Sequence, residues 1–241
     1  MKKRLRTLRI TLSAALGIML TLLIATTVLP HGFSAIAKIQ LMPALLSLNI
    51  GILAFWLVAT SLLGRVYCST VCPLGLFQDI CARIGKQLKK KPKRRYRYSA
   101  AHNSLRYAVL AATIIAGIAG AAAVPSLLDP YSAFVRMVGA IVAPSAIGIA
   151  VGGITFVTIG ALAFSGGRTF CNTVCPVGAT LSLASRKPMM RIQIDTSLCI
   201  GCRRCEAECK ASCIDAKNHT VDMSRCVMCL DCIPALSLIH I

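Results

Sequence analysis

The sequence predicts an α-helical membrane protein: four transmembrane helices in two repeated pairs, followed by a small cysteine-rich α+β domain at the C-terminus. Three observations carry this expectation. The 241 residues are 56% hydrophobic and only 15% charged, whereas ordinary soluble domains lie near ~45–50% and ~25%. Four long apolar stretches contain no Asp, Glu, Lys or Arg. The 27 Lys and Arg residues far outnumber the 8 Asp and Glu, and they are confined almost entirely to alternate segments between those stretches. The same numbers exclude a disordered chain, which would be poor in apolar residues. The 13 cysteines are too clustered, and the chain too apolar, for a secreted disulfide scaffold.

The apolar stretches run over residues 10–29, 45–63, 107–124 and 147–164. Each is long enough for a bilayer-spanning helix, which needs ~17–25 predominantly apolar residues. The third is rich in Ala and Gly and the fourth in Gly, and small residues predict that these two pack closely. Of the 27 basic residues, 25 lie before the first span, between the second and third, or after the fourth. The positive-inside rule then places both termini and the central loop in the cytoplasm, with residues 30–44 and 125–146 on the opposite face. A signal peptide with Ala35-Ile36-Ala37 as cleavage site is the alternative for the first span, although its apolar run exceeds the usual ~7–15 residues. The block from Lys89 to Arg97 reads as a topogenic, lipid-headgroup-binding loop. A nucleic-acid patch is the other reading, but nothing else in the chain resembles a nucleic-acid module. A membrane domain over residues 1–188 and a tail over 189–241 follow.

Within the membrane domain, Gly64-Arg65-Val66-Tyr67-Cys68-Ser69-Thr70-Val71-Cys72-Pro73-Leu74-Gly75 matches Gly167-Arg168-Thr169-Phe170-Cys171-Asn172-Thr173-Val174-Cys175-Pro176-Val177-Gly178. Eight of the twelve positions are identical. Each element follows the second helix of a pair, so the domain reads as two copies of one unit. Gly64 and Gly167 can end helices in a left-handed conformation. Arg65 and Arg168 can snorkel to headgroups or offset thiolates. Pro73 and Pro176 can open new helices, and cysteines four apart can share one helical face. Cys68, Cys72, Cys171 and Cys175 are therefore candidates for a cluster or metal site, for a redox-active dithiol, or for simple buried packing. Cys81 reads as structural.

The tail carries Cys199-x2-Cys202-x2-Cys205-x3-Cys209, the spacing of bacterial [4Fe–4S] ferredoxins, and then Cys226-x2-Cys229-x2-Cys232. Two clusters are expected. By the exchange of fourth ligands in two-cluster ferredoxins, Cys199, Cys202 and Cys205 serve one, and Cys226, Cys229, Cys232 and Cys209 the other. A zinc site would need cysteine pairs separated by a longer gap. Met190 to Asp195 alternates as a strand, and Cys213-Ile214-Asp215 can pair with Thr220-Val221-Asp222 as a hairpin. Two departures stand out. Lys210 replaces the proline that often follows the fourth cysteine, with Cys213 nearby as a substitute ligand. Leu236 stands where the second run would place its fourth cysteine, so one cluster is expected to be incomplete and the chain reads as a fragment or as carrying a foreign tail.

The paired Gly-Arg-x-x-Cys-x-x-x-Cys-Pro elements, the four spans and the double cysteine tail resemble the membrane polyferredoxins, the membrane-bound 4Fe-4S binding proteins of the NapH, NosR and CcoG types. No flavin-binding or periplasmic domain of the NosR kind is recognisable. The resemblance implies a protein of the bacterial cytoplasmic membrane that passes electrons between a membrane donor, usually quinol, and a redox partner protein. It reaches the motif cysteines and identifies no quinone-site residue; His31 and His102 lie at span edges and read as interfacial. Two alternatives remain: a metal or disulfide reductase working through Cys68, Cys72, Cys171 and Cys175, and a redox-sensing regulatory membrane protein. Arg203, Arg204 and Lys210 near the clusters should favour their reduced forms.

Overall fold

A computed structural model describes residues 2–25, 40–41, 49–88, 96–121, 123–197, 199–233 and 239–240. It is mostly helical. The helices are α1 (Lys2–Ala25), α2 (Ile50–Leu63), α3 (Tyr67–Thr70), α4 (Pro73–Leu88), α5 (Asn103–Ile118), α6 (Ala123–Leu128), α7 (Pro130–Val142), α8 (Ala146–Gly166), α9 (Thr169–Thr173), α10 (Pro176–Ala184) and α11 (Arg204–Glu208). The strands are β1 (Gln193–Ile194), β2 (Ile214–Asp215), β3 (Thr220–Val221) and β4 (Ile239–His240). They form two small antiparallel pairs, β1 with β4 and β2 with β3. The hairpin expected around Lys217-Asn218-His219 is present, in the register Ile214 to Val221 and Asp215 to Thr220. The strand expected over residues 190–195 shortens to β1.

Two of the four expected spans are matched by helices long and apolar enough to cross a membrane, Arg4–Ala25 and Ala146–Gly166. The described helices at the other two positions, α2 and α5, have 14 and 16 residues. Much of the apolar surface faces outward: Ile147, Ile154, Phe156 and Val157 on α8 are all more than half exposed. The first span's C-terminal part, His31 and most of the polybasic block lie outside the described residues, as do Leu236 and its neighbours.

The segment read as a loop over 125–146 is largely helical. Asp129 caps α7 by accepting from the Ser132 amide at 2.7 Å, and Pro130 supplies the pre-set first turn. The helix α7 then packs along α8, where Gly152 lies against the Arg136 carbonyl and the Ala140 methyl. The expected close pairing of the third and fourth apolar helices is not formed. The small residues of α8 admit α7 and α4 instead, while α5 packs on α10.

The two copies of the repeat are interlocked. The helix that follows the first cysteine pair, α4, packs on α8, which precedes the second pair; α10, which follows the second pair, packs on α2, which precedes the first. At the α4–α8 contact Phe77 meets Phe156 with ring centroids 5.1 Å apart, and Gly85 sits against the Phe164 carbonyl. Both prolines open helices as expected, at the first residues of α4 and α10.

Gly64 and Gly167 end their helices at φ 75° and 73°, with ψ of −168° and −107°. This is glycine territory, outside the left-handed helical well anticipated for them. A Cβ on Gly167 would also lie 2.5 Å from the Lys210 carbonyl oxygen, where the tail docks. Gly120 has a similar φ of 77° but nothing within 4 Å. Gly167→Ala should therefore cost roughly 2 kcal/mol or more, from the added steric clash as well as the strained φ, and Gly120→Ala distinctly less. Thermal unfolding of the two variants in detergent, side by side, checks the ranking.

Candidate functional site

The repeated element builds a layer of buried polar groups around four thiols. Cys68 lies in the short helix α3 and Cys72 just beyond it, before α4; Cys171 lies in α9 and Cys175 caps α10, its sulfur accepting from the Gly178 amide at 3.3 Å. The pairs thus straddle a helix break and do not share one helical face, because Pro73 and Pro176 restart the helix one residue later. All four sulfurs are buried, and each lies within electrostatic reach of the other three. Burial pushes the Cys72 and Cys175 thiols well up, and the neighbouring Cys171 pushes them further. Gln78 of α4 reaches across to the Cys171 sulfur, its Nε2 at 3.4 Å.

The two repeats exchange their arginines. Arg65 of the first donates to the carbonyl of Cys171 at 3.0 Å and to Oδ1 of Asn172 at 2.7 Å in the second. Arg168 of the second donates to the carbonyl of Cys68 in the first at 2.6 Å. Both are 0% exposed. They do not snorkel; carbonyls freed at the broken helices α3 and α9 hold their guanidinium groups inside. Gly75 and Gly178 allow this, each lying against the cysteine carbonyl of its own repeat and the crossing arginine of the other. A further matched pair belongs to the layer. Arg9 of α1 donates to the Ser69 carbonyl at 3.3 Å, and Arg106 of α5 donates to the equivalent Asn172 carbonyl at 2.9 Å. Each is the last basic residue before the apolar run of its helix, so the sequence carries a signal for the pair.

The symmetry ends at the carboxylates. Asp79 of α4 binds Arg168 at 3.0 Å, Lys210 at 3.2 Å and Arg9 at 3.3 Å. Its counterpart in the second repeat is Ser182. Burial drives the Asp79 carboxyl upward, but the Arg168 and Lys210 charges overcome it and hold the group well below the ordinary carboxylate range. Arg65 and Arg106 have no carboxylate within ion-pair distance among the described residues, and Arg65 Nε and both Arg106 Nη atoms lack hydrogen-bond partners there.

The tail docks on this layer. Arg168 N donates to the Lys210 carbonyl at 2.9 Å, Asn172 to the Ala211 carbonyl at 3.3 Å and Arg65 to the Ser224 carbonyl at 3.1 Å. Lys210 also binds Asp231 at 2.6 Å, and Arg6 binds Asp231 at 2.8 Å. The two cysteine loops of the tail share one backbone pattern. The residues before and after the middle cysteine have positive φ in both: Gly201 (68°) and Arg203 (53°) around Cys202, Met228 (50°) and Leu230 (59°) around Cys229. Three of these four are not glycine, so the conformation is strained by about 1 kcal/mol or more each. Alternating hands of this kind turn successive amides inward and make concave anion-binding nests, a geometry found at phosphate and iron–sulfur sites.

Around the second loop, Cys209, Cys213, Cys226, Cys229 and Cys232 line one small cavity, closed by Ile192, Ile214, Val227 and Leu230. Cys209 and Cys213 lie 3.5 Å apart. The Cys213 thiol, with backbone amides of Cys213, Ala211 and Ile214, brings the Cys209 thiol down to about 7 against the opposing effect of burial. Cys213 therefore lies beside Cys209 at the same cavity. In the first loop Cys205 is buried while Cys199 is half-buried and Cys202 exposed. Cys81 is half-buried on α4. Arg203 and Arg204 are exposed, and so is His102 before α5. Among the described residues no three His, Cys, Asp or Glu side chains are arranged to hold a single metal ion.

A family described as a 4Fe-4S binding domain matches residues 46–92 and 149–194, the two segments that contain the repeated cysteine elements. Two uncharacterized proteins of Methanocaldococcus jannaschii are similar. MJ0749 is 27% identical over 73% of this chain and 63% of its own length; MJ0750 is 28% identical over 73% and 70%. YccM of Escherichia coli K12, provisionally named an electron transport protein, is 24% identical over 77% of this chain and 53% of its own length. The chain thus spans about two thirds of the Methanocaldococcus relatives and about half of the Escherichia coli one. No solved structure matches. These matches support iron–sulfur cluster binding and an electron-transfer role.

Asp79→Asn tests the ionic layer. It leaves Arg9, Arg168 and Lys210 without their shared carboxylate, and breaking such a buried group costs about 3–5 kcal/mol. Because the folded carboxyl is held below its unfolded value of ~3.9, its contribution is complete above pH ~4 and is lost as pH falls through the folded value. Melting curves between pH 3 and 8 should show a loss for the variant that is constant above pH ~5 and shrinks in acid.

Proposed function

We propose that this chain is a membrane-anchored iron–sulfur protein that passes electrons between a membrane donor, quinol in this reading, and a redox partner protein. The observation that carries the proposal is the pair of matching tail loops, each holding three cysteines on a backbone with alternating left-handed residues. The cavity lined by five thiols supports it. Cys199, Cys202 and Cys205 would hold one [4Fe–4S] cluster; Cys226, Cys229 and Cys232 would hold another, with Cys209 as fourth ligand and Cys213 beside it as the substitute. Such clusters supply one-electron oxidation and reduction over a wide range of potentials.

The protein's own residues do the rest. Inward-facing amides and the Cys213 thiol favour Cys209 as thiolate, the form that binds metal. Ile192, Ile214 and Val227 exclude water from the cavity. Lys210 and Arg6, paired with Asp231 beside Cys232, fix the loop against α1 and α4. The spans α1, α2, α5 and α8 would anchor the protein in the bacterial cytoplasmic membrane, with both termini and the tail on the positively charged cytoplasmic side. A reductase working through Cys68, Cys72, Cys171 and Cys175 is less favoured, because an attacking thiolate needs exposure and these four are 2–4% exposed.

The full chain, purified anaerobically from membranes in detergent, should contain iron and acid-labile sulfide in equal amounts and give an EPR signal on reduction with dithionite. Replacing Cys226 and Cys229 together by Ser should remove about four irons. A wild-type protein without iron, or one recovered wholly in the soluble fraction, would contradict the proposal.

A further inference from the structure

The charge balance of the interlocked repeats is unexplained by the protein alone. Arg9, Arg65, Arg106 and Arg168 are all at most 7% exposed and all bind main-chain carbonyls at or next to Cys68 and Cys171. Among the described residues Asp79 is the carboxylate within ion-pair distance of this layer, bound to Arg9 and Arg168, while Asp222 acts on Arg106 from further away. Buried charges without partners are costly, and the cost would recur in both repeats. The groups able to carry compensating negative charge in both repeats at this level are the four buried sulfurs.

A single tetrahedral ion would draw its sulfurs to within about 4 Å of one another, and the described residues hold no such arrangement. A polynuclear cluster spreads its ligands wider. With four thiolates, a [4Fe–4S] cluster carries about two or three negative charges according to its redox state, which matches the surplus of buried arginine charge. Each segment that matches the 4Fe-4S binding family carries one Cys-x-x-x-Cys pair, and a cubane takes four thiolates.

We infer that Cys68, Cys72, Cys171 and Cys175 together hold one [4Fe–4S] cluster at the centre of the pseudo-symmetric pair, two thiolates from each repeat, distinct from the clusters of the tail. This rests on the iron–sulfur reading of the chain. The site exists only where the repeats interlock. Arg65 and Arg168, which cross between them, position the ligand loops and favour the reduced cluster by their charge. Gln78, at 3.4 Å from the Cys171 sulfur, adds a polar neighbour on one side only.

The test uses the full chain, reconstituted anaerobically with ferrous iron and sulfide. A tail variant (Cys202→Ser, Cys205→Ser, Cys226→Ser, Cys229→Ser) should retain about four irons and four sulfides and an EPR signal on dithionite reduction. A quartet variant (Cys68→Ser, Cys171→Ser) and a one-repeat variant (Cys68→Ser, Cys72→Ser) should each lose the same four irons while keeping those of the tail. An iron-free tail variant beside a quartet variant with wild-type iron content overturns the inference and leaves the tail clusters standing. A one-repeat variant that keeps half of the quartet's iron overturns the sharing. Iron absent from every form, wild type included, overturns the iron–sulfur reading as well. In the tail variant, Arg65→Gln should lower the midpoint potential of the remaining signal and Arg65→Lys should restore most of it. An unchanged potential removes the role assigned to Arg65.

Discussion

The exchange of Arg65 and Arg168 between the two repeats is the constraint on which the rest of the structure depends. Each guanidinium leaves its own copy and binds the cysteine carbonyl of the other. Both side chains are fully buried and bonded across the repeats, so the two copies are held in one register. Their cost is met by carbonyls that a continuous helix would have used internally. Pro73 and Pro176 break the helices at those points, and Gly75 and Gly178 clear the space. The motif Gly-Arg-x-x-Cys-x-x-x-Cys-Pro-x-Gly is thus one mechanical unit. Its glycines, arginine and proline all serve to bring two cysteine pairs face to face.

The departures from symmetry show how the tail is attached. Gln78 and Asp79 in the first repeat correspond to Leu181 and Ser182 in the second. Through Asp79 the layer reaches Lys210, next to Cys209, and through Lys210 it reaches Asp231, between Cys229 and Cys232. One ionic chain therefore runs from Arg168 to the cysteine loops of the tail. Segment 96–99 adds a strap on the far side, where Arg225 donates to the Ser99 carbonyl at 2.8 Å and stacks 5.5 Å from the Tyr98 ring centre. A short, strained pair of loops is in this way held by the layer of buried polar groups beneath it.

Much of this was legible in the sequence. The repeat, the helix starts at Pro73 and Pro176 and the hairpin at residues 214–221 follow from spacing and turn chemistry, and the grouping of Cys209 with Cys226, Cys229 and Cys232 from the likeness to two-cluster ferredoxins. What was not legible depended on partners distant in the chain. For Arg65 and Arg168 the sequence leaves open snorkelling to headgroups or offsetting thiolates; the carbonyls that hold them inside lie about a hundred residues away. Asp79 carries no motif of its own in the sequence, because the cations it binds come from three distant segments. The helix α7 was missed because its apolar run is short and opens at Asp129-Pro130, a pair that reads as a turn until the packing against α8 is seen.

The account holds that buried arginine charge, broken helices and strained cysteine loops all serve anionic iron–sulfur clusters. The most direct measurement is an anomalous-scattering map of the anaerobic, full-length protein at the iron absorption edge. The account predicts iron density in the cavity lined by Cys209, Cys226, Cys229 and Cys232, and a second site between Cys68 and Cys171. Density absent from both places, or a zinc peak in their stead, would contradict it.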